Sequence, residues 1–180
     1  MKDIVYFDLE TQKTANDVGG WANKHLMMMS IGVLFSHVEG EYLIYAEDEV
    51  HQMIERMNRA DLIIGYNHIS FDYEVLMGYS IVDLKSQLPS FDLMVDLEKQ
   101  LGFRLKLESL ATATLGAGKS ADGLEAIKWW KEGKLAEIAE YCCYDVKVTR
   151  LVHEYGAKHG HVIYNDQGGH PKKAEVSWTL

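Results

Sequence analysis

The opening segment of the chain is an apolar run that ends in two carboxylates. Residues 4–11 read Ile-Val-Tyr-Phe-Asp-Leu-Glu-Thr. Because side chains alternate between the faces of a strand, a strand here places Asp8 and Glu10 on the same side. Two acids at the end of a buried strand are costly unless a cation lies beside them, and Mg²⁺ or Mn²⁺ prefers such oxygen ligands. The segment alone indicates either a metal site or a strand end with two solvated acids.

Length and composition indicate one globular domain. The chain has 180 residues, of which 47% are hydrophobic and 25% charged. It contains no apolar run of about 18 residues, so we expect no transmembrane helix. The acids at Asp3 and Asp8 argue against a signal peptide. The adjacent Cys142 and Cys143 diverge on a helix, which indicates unpaired thiols and a reducing, cytoplasmic setting.

The net charge of the chain is −9, which argues weakly against nucleic-acid binding. The charge is unevenly spread, however, and residues 98–134 carry more basic than acidic side chains. Carboxylates that hold metal ions are also neutralised by them. The acidic total therefore does not exclude a polyanionic substrate bound through cations.

Hydrophobic periodicity predicts an α/β fold. Apolar runs predict strands over residues 3–9, 26–35, 41–46, 62–66 and near Phe91. Helical spacing predicts helices over residues 48–59, 71–79 and 135–158. Short connections between the first three strands favour an antiparallel meander. We expect residues 1–159 to form a mixed five-stranded sheet with helices on both faces, and residues 160–180 a C-terminal tail or a hairpin with its turn at Gly168-Gly169.

Two later segments add acids to those of the first strand. A polar turn leads into Phe71 and Asp72, which places Asp72 in the first turn of a helix, where an acid also simply complements the helix dipole. Tyr141 and Asp145 are four residues apart on a predicted helix, so they share one face. Each pattern alone is also typical of an ordinary helix. Together with Asp8 and Glu10 they supply four carboxylates and a phenol.

In this order the motifs resemble those of the DEDD superfamily of 3′–5′ exonucleases, which has the ribonuclease-H-like fold. The matching motifs are residues 7–11, Asn67-x₃-Phe71-Asp72 and Tyr141-x₃-Asp145. The tyrosine in the third motif is similar to the tyrosine subclass, which includes polymerase proofreading domains and ribonuclease D. The resemblance covers about residues 3–155, in the right order, which is nearly the whole chain.

The resemblance implies a two-metal mechanism. Asp8, Glu10, Asp72 and Asp145 are the expected ligands of two divalent cations, Mg²⁺ or Mn²⁺, an arrangement used for in-line displacement at phosphorus. Tyr141 is the expected fifth catalytic residue. Because a free phenol has a pKa of about 10, we expect it mainly to position the attacking water. Asp92 occupies a place where relatives often carry an accessory acid.

The expected substrate is the 3′ end of single-stranded nucleic acid, with DNA slightly favoured over RNA. The residues expected to contact it are Leu9, Thr11, Asn67, His68, Phe71 and Lys119. Residues 116–120 look like the end of a phosphate-binding loop, but Ala113 stands where that loop needs glycine, so only a phosphate contact of Lys119 is expected. A larger replication, repair or RNA-processing protein is a further possible partner. The alternatives are a catalytically silent binding module and a structure-selective endonuclease.

Overall fold

The computed structural model describes residues 2–117 and 122–180. Its strands in these ranges are β1 (Ile4–Thr11), β2 (Met29–Ser36), β3 (Glu41–Ala46), β4 (Leu62–Gly65), β5 (Ser90–Asp92), β6 (His161–Asn165) and β7 (Pro171–Glu175). Its helices are α1 (Val50–Met57), α2 (Asp72–Leu76), α3 (Leu84–Gln87), α4 (Leu93–Leu101), α5 (Leu107–Leu115), α6 (Gly123–Lys131) and α7 (Leu135–His159). Short 3-10 helices cover Trp21–Leu26 and Glu47–Glu49.

The first five strands form one mixed sheet in the order β3-β2-β1-β4-β5. β1 pairs antiparallel with β2, with Asp8 opposite Val33, and β2 pairs antiparallel with β3. β4 lies parallel to β1, with Tyr6 opposite Ile64, and β5 lies parallel to β4. This sheet confirms the predicted α/β fold with an antiparallel meander of the first three strands.

Alternation along β1 divides the hydrophobic core into two layers, one on each face of the sheet. Ile4 and Tyr6 belong to the layer that contains Val146 and other residues of α7. Val5 and Phe7 belong to the opposite layer, which contains Met53 of α1. Because Asp8 and Glu10 continue the alternation that Ile4 and Tyr6 begin, they face the α7 side of the sheet.

The segment that joins β1 to β2 differs from the sequence prediction. A strand was predicted from residue 26, but Trp21–Leu26 forms a 3-10 helix and β2 begins at Met29. Met28 adopts a positive φ of 60°, which interrupts an extended run. The amides of Gln12 and Lys13 donate to the carbonyls of Met28 and Met27, at 2.9 and 3.2 Å. These bonds close the base of the connection as a loop at the end of β1.

Residues 161–175 form a two-stranded hairpin that packs on the α7 side of the molecule. β6 and β7 pair antiparallel, with Val162 opposite Ala174. The carboxylate of Asp166 accepts hydrogen bonds from the amides of Gly168 and His170 and so fixes the turn. The hairpin contributes Val162 and Ala174 to the same hydrophobic layer as α7. The boundary between the domain and the C-terminal segment at residue 159 stays a prediction.

Among the described residues, no helix is both long enough and apolar enough to cross a membrane.

Candidate active site

The end of β1 and the middle of α7 bring three carboxylates together. One oxygen from each of Asp8, Glu10 and Asp145 lies within 4.8 Å of the other two. The alternation of β1 aims the first two acids at α7, and α7 crosses that end of the strand. Residues from opposite ends of the chain therefore meet in one acidic cluster, as the sequence predicted for these three.

The face of α7 that carries Asp145 also carries Tyr141 one turn earlier, and the phenol donates a hydrogen bond to Asp145. Trp129 of α6 packs its ring edge against Tyr141, with 6.4 Å between ring centroids. The thiol of Cys142 points to the strand, 3.4 Å from the backbone oxygen of Asp8 and 3.5 Å from its Oδ2. The two contacts of Cys142 thus join α7 to the acid-bearing end of β1.

Asp72 reaches the cluster from the first turn of α2. Its Oδ1 accepts a hydrogen bond of 3.1 Å from the amide of Leu9, and its side chain is buried. The charge of Asp72 also raises the pKa of Asp8 and of Glu10, so the four carboxylates share one electrostatic environment. The three-residue group with mutually close oxygens does not include Asp72, and its role as a metal ligand stays a prediction.

Burial and mutual repulsion disfavour the charged forms of these acids. Burial raises the pKa of Asp8 well above its usual range, and the charges of Asp72, Glu10 and Asp145 raise it further. Burial and the charge of Asp145 do the same to the pKa of Glu10. Burial raises the pKa of Asp72 to about 8 against the opposing hydrogen bond from Leu9. Burial raises the pKa of Asp145 to about 6, while the hydrogen bond from Tyr141 lowers it.

The cluster has the composition of a site for hard divalent cations. Among the described residues, none of the four acids forms an ion pair with a basic side chain. Buried carboxylates without a cationic partner are costly, and oxygen donors are the ligands that Mg²⁺ and Mn²⁺ prefer. A bound divalent ion would offset the cost of burying these charged carboxylates and the repulsion between them. The residues therefore fit the metal that the sequence predicted.

A cleft opens beside the acids, with a volume of about 570 Å³. Asp8, Glu10 and Asp72 line this cavity. Four residues predicted to contact substrate also line it: Leu9, Thr11, Asn67 and Phe71. Their contact with a substrate stays a prediction, but the structure brings them to one cavity with the acids.

The remaining two predicted substrate residues have different outcomes. Lys119 lies outside the described residues. His68 is fully buried, with its ring edge-on to Tyr73 at 5.0 Å between centroids and its Nδ1 3.5 Å from Asp92. Burial lowers the pKa of His68 to about 4. The ring has no exposed surface in this structure, and its contact with a substrate stays a prediction.

Asp92 organises the loop that precedes Asp72. Its Oδ1 accepts from the amide of Asn67 at 2.8 Å, and its Oδ2 accepts from Ile69 at 3.2 Å. The same carboxylate caps α4 by accepting from Met94 and Val95. These bonds satisfy buried amides at the carboxyl ends of β4 and β5. Asp92 thus holds the loop in place from outside the cleft.

Sequence reasoning missed several cleft residues. Lys13, Trp21, Asp122 and Leu124 line the cavity and were not predicted to do so. They lie in the β1–β2 loop and at the start of α6, where no hydrophobic periodicity in the sequence indicates which way a side chain points. Trp129 and Trp130 of α6 are half-buried and pack against the core.

The family comparison assigns the fold. The RNase_H_2 family model, described as RNase_H superfamily, matches residues 5–156. The chain therefore belongs to the RNase_H superfamily. A comparison with curated proteins found no match.

Solved structures of low sequence identity share this fold. A family B DNA polymerase from Pyrobaculum calidifontis has a TM-score of 0.63 at 14% identity, covering 87% of this chain and 24% of the polymerase. Exonuclease I of E. coli in its zinc-bound complex with single-stranded DNA has a TM-score of 0.51 at 13% identity, covering 88% of this chain and 41% of the enzyme. NrnC of Brucella melitensis bound to pGG has a TM-score of 0.52 at 16% identity, covering 89% and 76%. The chain thus spans less than half of the first two proteins.

Proposed function

We propose that this protein is a metal-dependent 3′–5′ exonuclease that hydrolyses single-stranded nucleic acid, slightly favouring DNA, and releases nucleoside 5′-monophosphates. The observation that supports this most is the meeting of Asp8, Glu10 and Asp145 at the end of β1, beside an open cleft. The fold agrees with the proposal, since exonuclease I bound to single-stranded DNA shares it.

Asp8, Glu10 and Asp145 would hold one or two divalent cations, with Asp72 as the fourth ligand. Mg²⁺ or Mn²⁺ supplies a Lewis acid for the phosphate and lowers the pKa of bound water when present. The protein residues provide a fixed, largely buried set of oxygen donors. The hydrogen bonds from Leu9 to Asp72 and from Cys142 to Asp8 orient two of these donors.

Tyr141 acts as a positioning donor in this proposal. Burial and the charges of Asp145, Glu10 and Asp8 raise the pKa of its phenol above the ordinary value, so the hydroxyl keeps its proton at neutral pH. A protonated phenol orients a water or a phosphate oxygen but does not abstract a proton. The tyrosine one turn before Asp145 supports placement in the tyrosine subclass of the DEDD superfamily.

The substrate in the proposal is an unpaired 3′ end. A terminal nucleotide has to leave any duplex to reach acids that line a cleft, at a cost of a few kcal/mol. Single-stranded ends avoid that cost and should be preferred over blunt duplexes. Action beside a larger replication, repair or RNA-processing protein is a further part of the proposal.

A digestion panel tests the function. Single-stranded DNA, blunt duplex DNA and RNA, each labelled at the 5′ end, are incubated with Mg²⁺, with Mn²⁺ or with excess chelator. We expect a ladder that shortens stepwise from the 3′ end, fastest on single-stranded DNA, and none with chelator. A 3′-phosphate should slow the reaction.

Two controls identify the activity. Asp145→Asn should abolish cleavage, whereas Glu55→Gln changes an exposed acid of α1 that pairs with Arg59 and should leave cleavage unchanged. If closed circular single strands are cut as fast as linear ones, the protein is an endonuclease and the proposal is wrong. If the protein binds nucleic acid but cleaves none with any of the metals, it is a catalytically silent binding module.

A further inference from the structure

A second cavity, of about 770 Å³, adjoins the cleft that contains the acids. Lys13 lines both cavities and therefore lies between them. The polar and charged side chains that line the second cavity in the described ranges are Gln12, Lys13, Asp17, His25, Tyr79 and Lys131. Basic side chains outnumber acidic ones here, whereas the cleft has the opposite balance. We call the second cavity the basic groove.

The polar side of the basic groove is held in shape by hydrogen bonds to one carboxylate. The side-chain amide of Gln12 and the hydroxyl of Tyr79 donate to the two oxygens of Glu47, at 2.6 and 2.9 Å. The Tyr79 hydroxyl also accepts from the amide of Met29 at 3.0 Å. Both oxygens of Glu47 therefore have donors, and this part of the groove is formed before any ligand binds.

The two lysines of the groove are available to an anionic ligand. Among the described residues, neither Lys13 nor Lys131 forms an ion pair. Nζ of Lys13 donates to Sδ of Met28 at 3.6 Å, and a thioether is a weak acceptor. Asp17 accepts from the amide and the hydroxyl of Thr14, each at 2.8 Å. These bonds lower the pKa of Asp17, and the charges of Lys131 and Lys13 lower it further, so the three charges act on one another.

Helix α6 connects the cleft with the basic groove. Its first residues, Gly123 and Leu124, line the cleft, and its last residue, Lys131, lines the groove. The eight residue steps from Gly123 to Lys131 span about 12 Å at about 1.5 Å per residue. This distance exceeds the length of one nucleotide unit. A ligand that contacts both the acids and Lys131 is therefore a chain of several units.

The charges of the two cavities indicate which part of such a chain each one binds. The acids of the cleft would hold the metal ions, and these ions would contact the phosphate that is cleaved. The basic groove contains no such cluster of acids, and its ammonium groups can contact phosphates directly as point charges. The negative charge of Asp17 opposes this attraction, which makes the groove a site of modest affinity.

We propose that the basic groove binds backbone phosphates of the strand upstream of its 3′ end, with Lys13 at the border of the cleft and Lys131 as the principal contact. The inference rests on the proposed function and names a further requirement of its substrate: a chain long enough to leave the cleft. Because the phosphates of all nucleotides are alike, the groove selects for the length of the strand and not for its sequence.

Steady-state kinetics with two DNA substrates test the inference. One is a dinucleotide without a 5′-phosphate, whose only phosphate is the one that is cleaved. The other has about 10 nucleotides, a length within the usual footprint of single-strand binding sites. For the longer strand, Lys131→Ala should raise KM roughly 5-fold at about 0.1 M salt with little change in kcat, as expected for one lost phosphate contact. For the dinucleotide, the variant and the wild type should have the same KM.

Three further variants show whether charge in the groove is the cause. Lys131→Arg keeps the charge and should retain the wild-type KM for the longer strand. Asp17→Asn keeps an oxygen that can accept from Thr14 but removes the negative charge, so it should lower this KM. Lys128→Ala removes a lysine of the same helix that lies 3.9 Å from Glu132 and lines neither cavity, and should leave KM unchanged.

Two kinetic outcomes would overturn the inference. If Lys131→Ala raises KM equally for the dinucleotide and the longer strand, the groove does not bind upstream phosphates and is a site for a free anion instead. If Lys131→Ala raises neither KM, the groove takes no part in binding the strand.

A binding assay keeps the test independent of turnover. Fluorescence anisotropy of the labelled longer strand, with Ca²⁺ in place of Mn²⁺, measures the dissociation constants of wild type and Lys131→Ala. The slope of log Kd against log salt concentration should be smaller by about 0.7 in the variant. If the wild type cleaves nothing, the proposed nuclease function fails, and this assay alone judges the groove. Weaker binding with the smaller slope supports the inference, and wild-type binding by Lys131→Ala overturns it.

Discussion

Carboxylate oxygens of Asp8 and Asp145, residues from opposite ends of the chain, lie within 4.8 Å of each other between β1 and α7. Both side chains have raised pKa values, with burial as the main cause. The metal-free protein therefore carries a local electrostatic penalty that a divalent cation would remove. This relationship connects the stability of the fold to the occupancy of the site.

Metal binding should raise the stability of the wild type but not of a variant that lacks the central acid. We expect Mn²⁺ at about 100-fold excess over its dissociation constant to raise Tm by about 5–10 °C. Asp8→Asn should equal or exceed the metal-free wild type in Tm, because one repelling charge is gone, and should gain little from Mn²⁺. Differential scanning fluorimetry measures this. An unchanged Tm of the wild type in saturating Mn²⁺ would contradict a metal site here.

Tyr141→Phe should slow catalysis without weakening metal binding. The variant keeps the ring that packs on Trp129 and loses only the hydroxyl that donates to Asp145. Positioning groups of this kind contribute about 10²–10⁴-fold to rate, so we expect a fall of that order in kcat. The Mn²⁺-induced rise in Tm should be preserved. Tyr155→Phe, on the same helix beside His159, is the matched control. Wild-type turnover in Tyr141→Phe would assign the residue to packing alone.

The site could be predicted from sequence wherever the regular repeat of a strand or a helix determines which way a side chain points. Period two along β1 fixed the common side of Asp8 and Glu10, and the four-residue spacing on α7 fixed the common face of Tyr141 and Asp145. The meander and the order of elements also followed from such periods. What these patterns leave open is which acid approaches which, because that depends on how α7 crosses the sheet.

The parts that could not be predicted depend on contacts between distant residues. His68 lies in a polar turn, yet its ring is buried against Phe7 and Tyr73, residues of another strand and of α2. Nothing local to His68 indicates that burial. The placement of Trp21 is equally hard to predict, since its ring lies against Phe71, a residue distant in sequence.

Asp92→Ala should destabilise the protein and lower its activity together. The substitution leaves the amides of Asn67 and Ile69 without their acceptor and uncaps α4, for which we expect a loss of about 3 kcal/mol in the free energy of unfolding. Asp83→Ala removes the cap of short, exposed α3 and should cost about 1 kcal/mol with activity intact. Urea titration with parallel kinetics checks both. Equal losses in the two variants would remove the special role given to Asp92.

The C-terminal segment should be required for the full stability of the fold. Trp178 is buried, stacks on His153 and donates from Nε1 to Asp96 at 2.8 Å. Gly156 allows this contact, because a β-carbon there would lie 2.3 Å from the indole. We expect Trp178→Ala to cost about 3–5 kcal/mol and Gly156→Ala to be much less harmful in that background than alone. Additive losses in urea unfolding would show that the two residues do not share one packing site.

The buried His153 should make stability depend on pH in the mildly acidic range. Its Nδ1 lies 2.9 Å from the hydroxyl of Tyr6, and burial lowers its pKa to about 4. In the unfolded chain a histidine takes up a proton near pH 6.5, whereas the folded chain resists this until about pH 4. Protonation of His153 in the unfolded chain therefore lowers the free energy of unfolding as the pH falls below about 6.5. Above that pH the histidine is neutral in both states and does not lower the stability.

The comparison with His153→Gln isolates this contribution. Between pH 7.5 and pH 5 the wild type should lose about 2 kcal/mol more in the free energy of unfolding than the variant does. The raised pKa values of Asp72 and Asp145 act with the opposite sign, since the folded state binds their protons more readily, but they are common to both proteins and cancel in the difference. His51→Gln, at an exposed position of α1, should follow the wild type. Urea titrations at the two pH values provide the measurement, and parallel pH dependence of wild type and His153→Gln would show that this imidazole is protonated in the folded state.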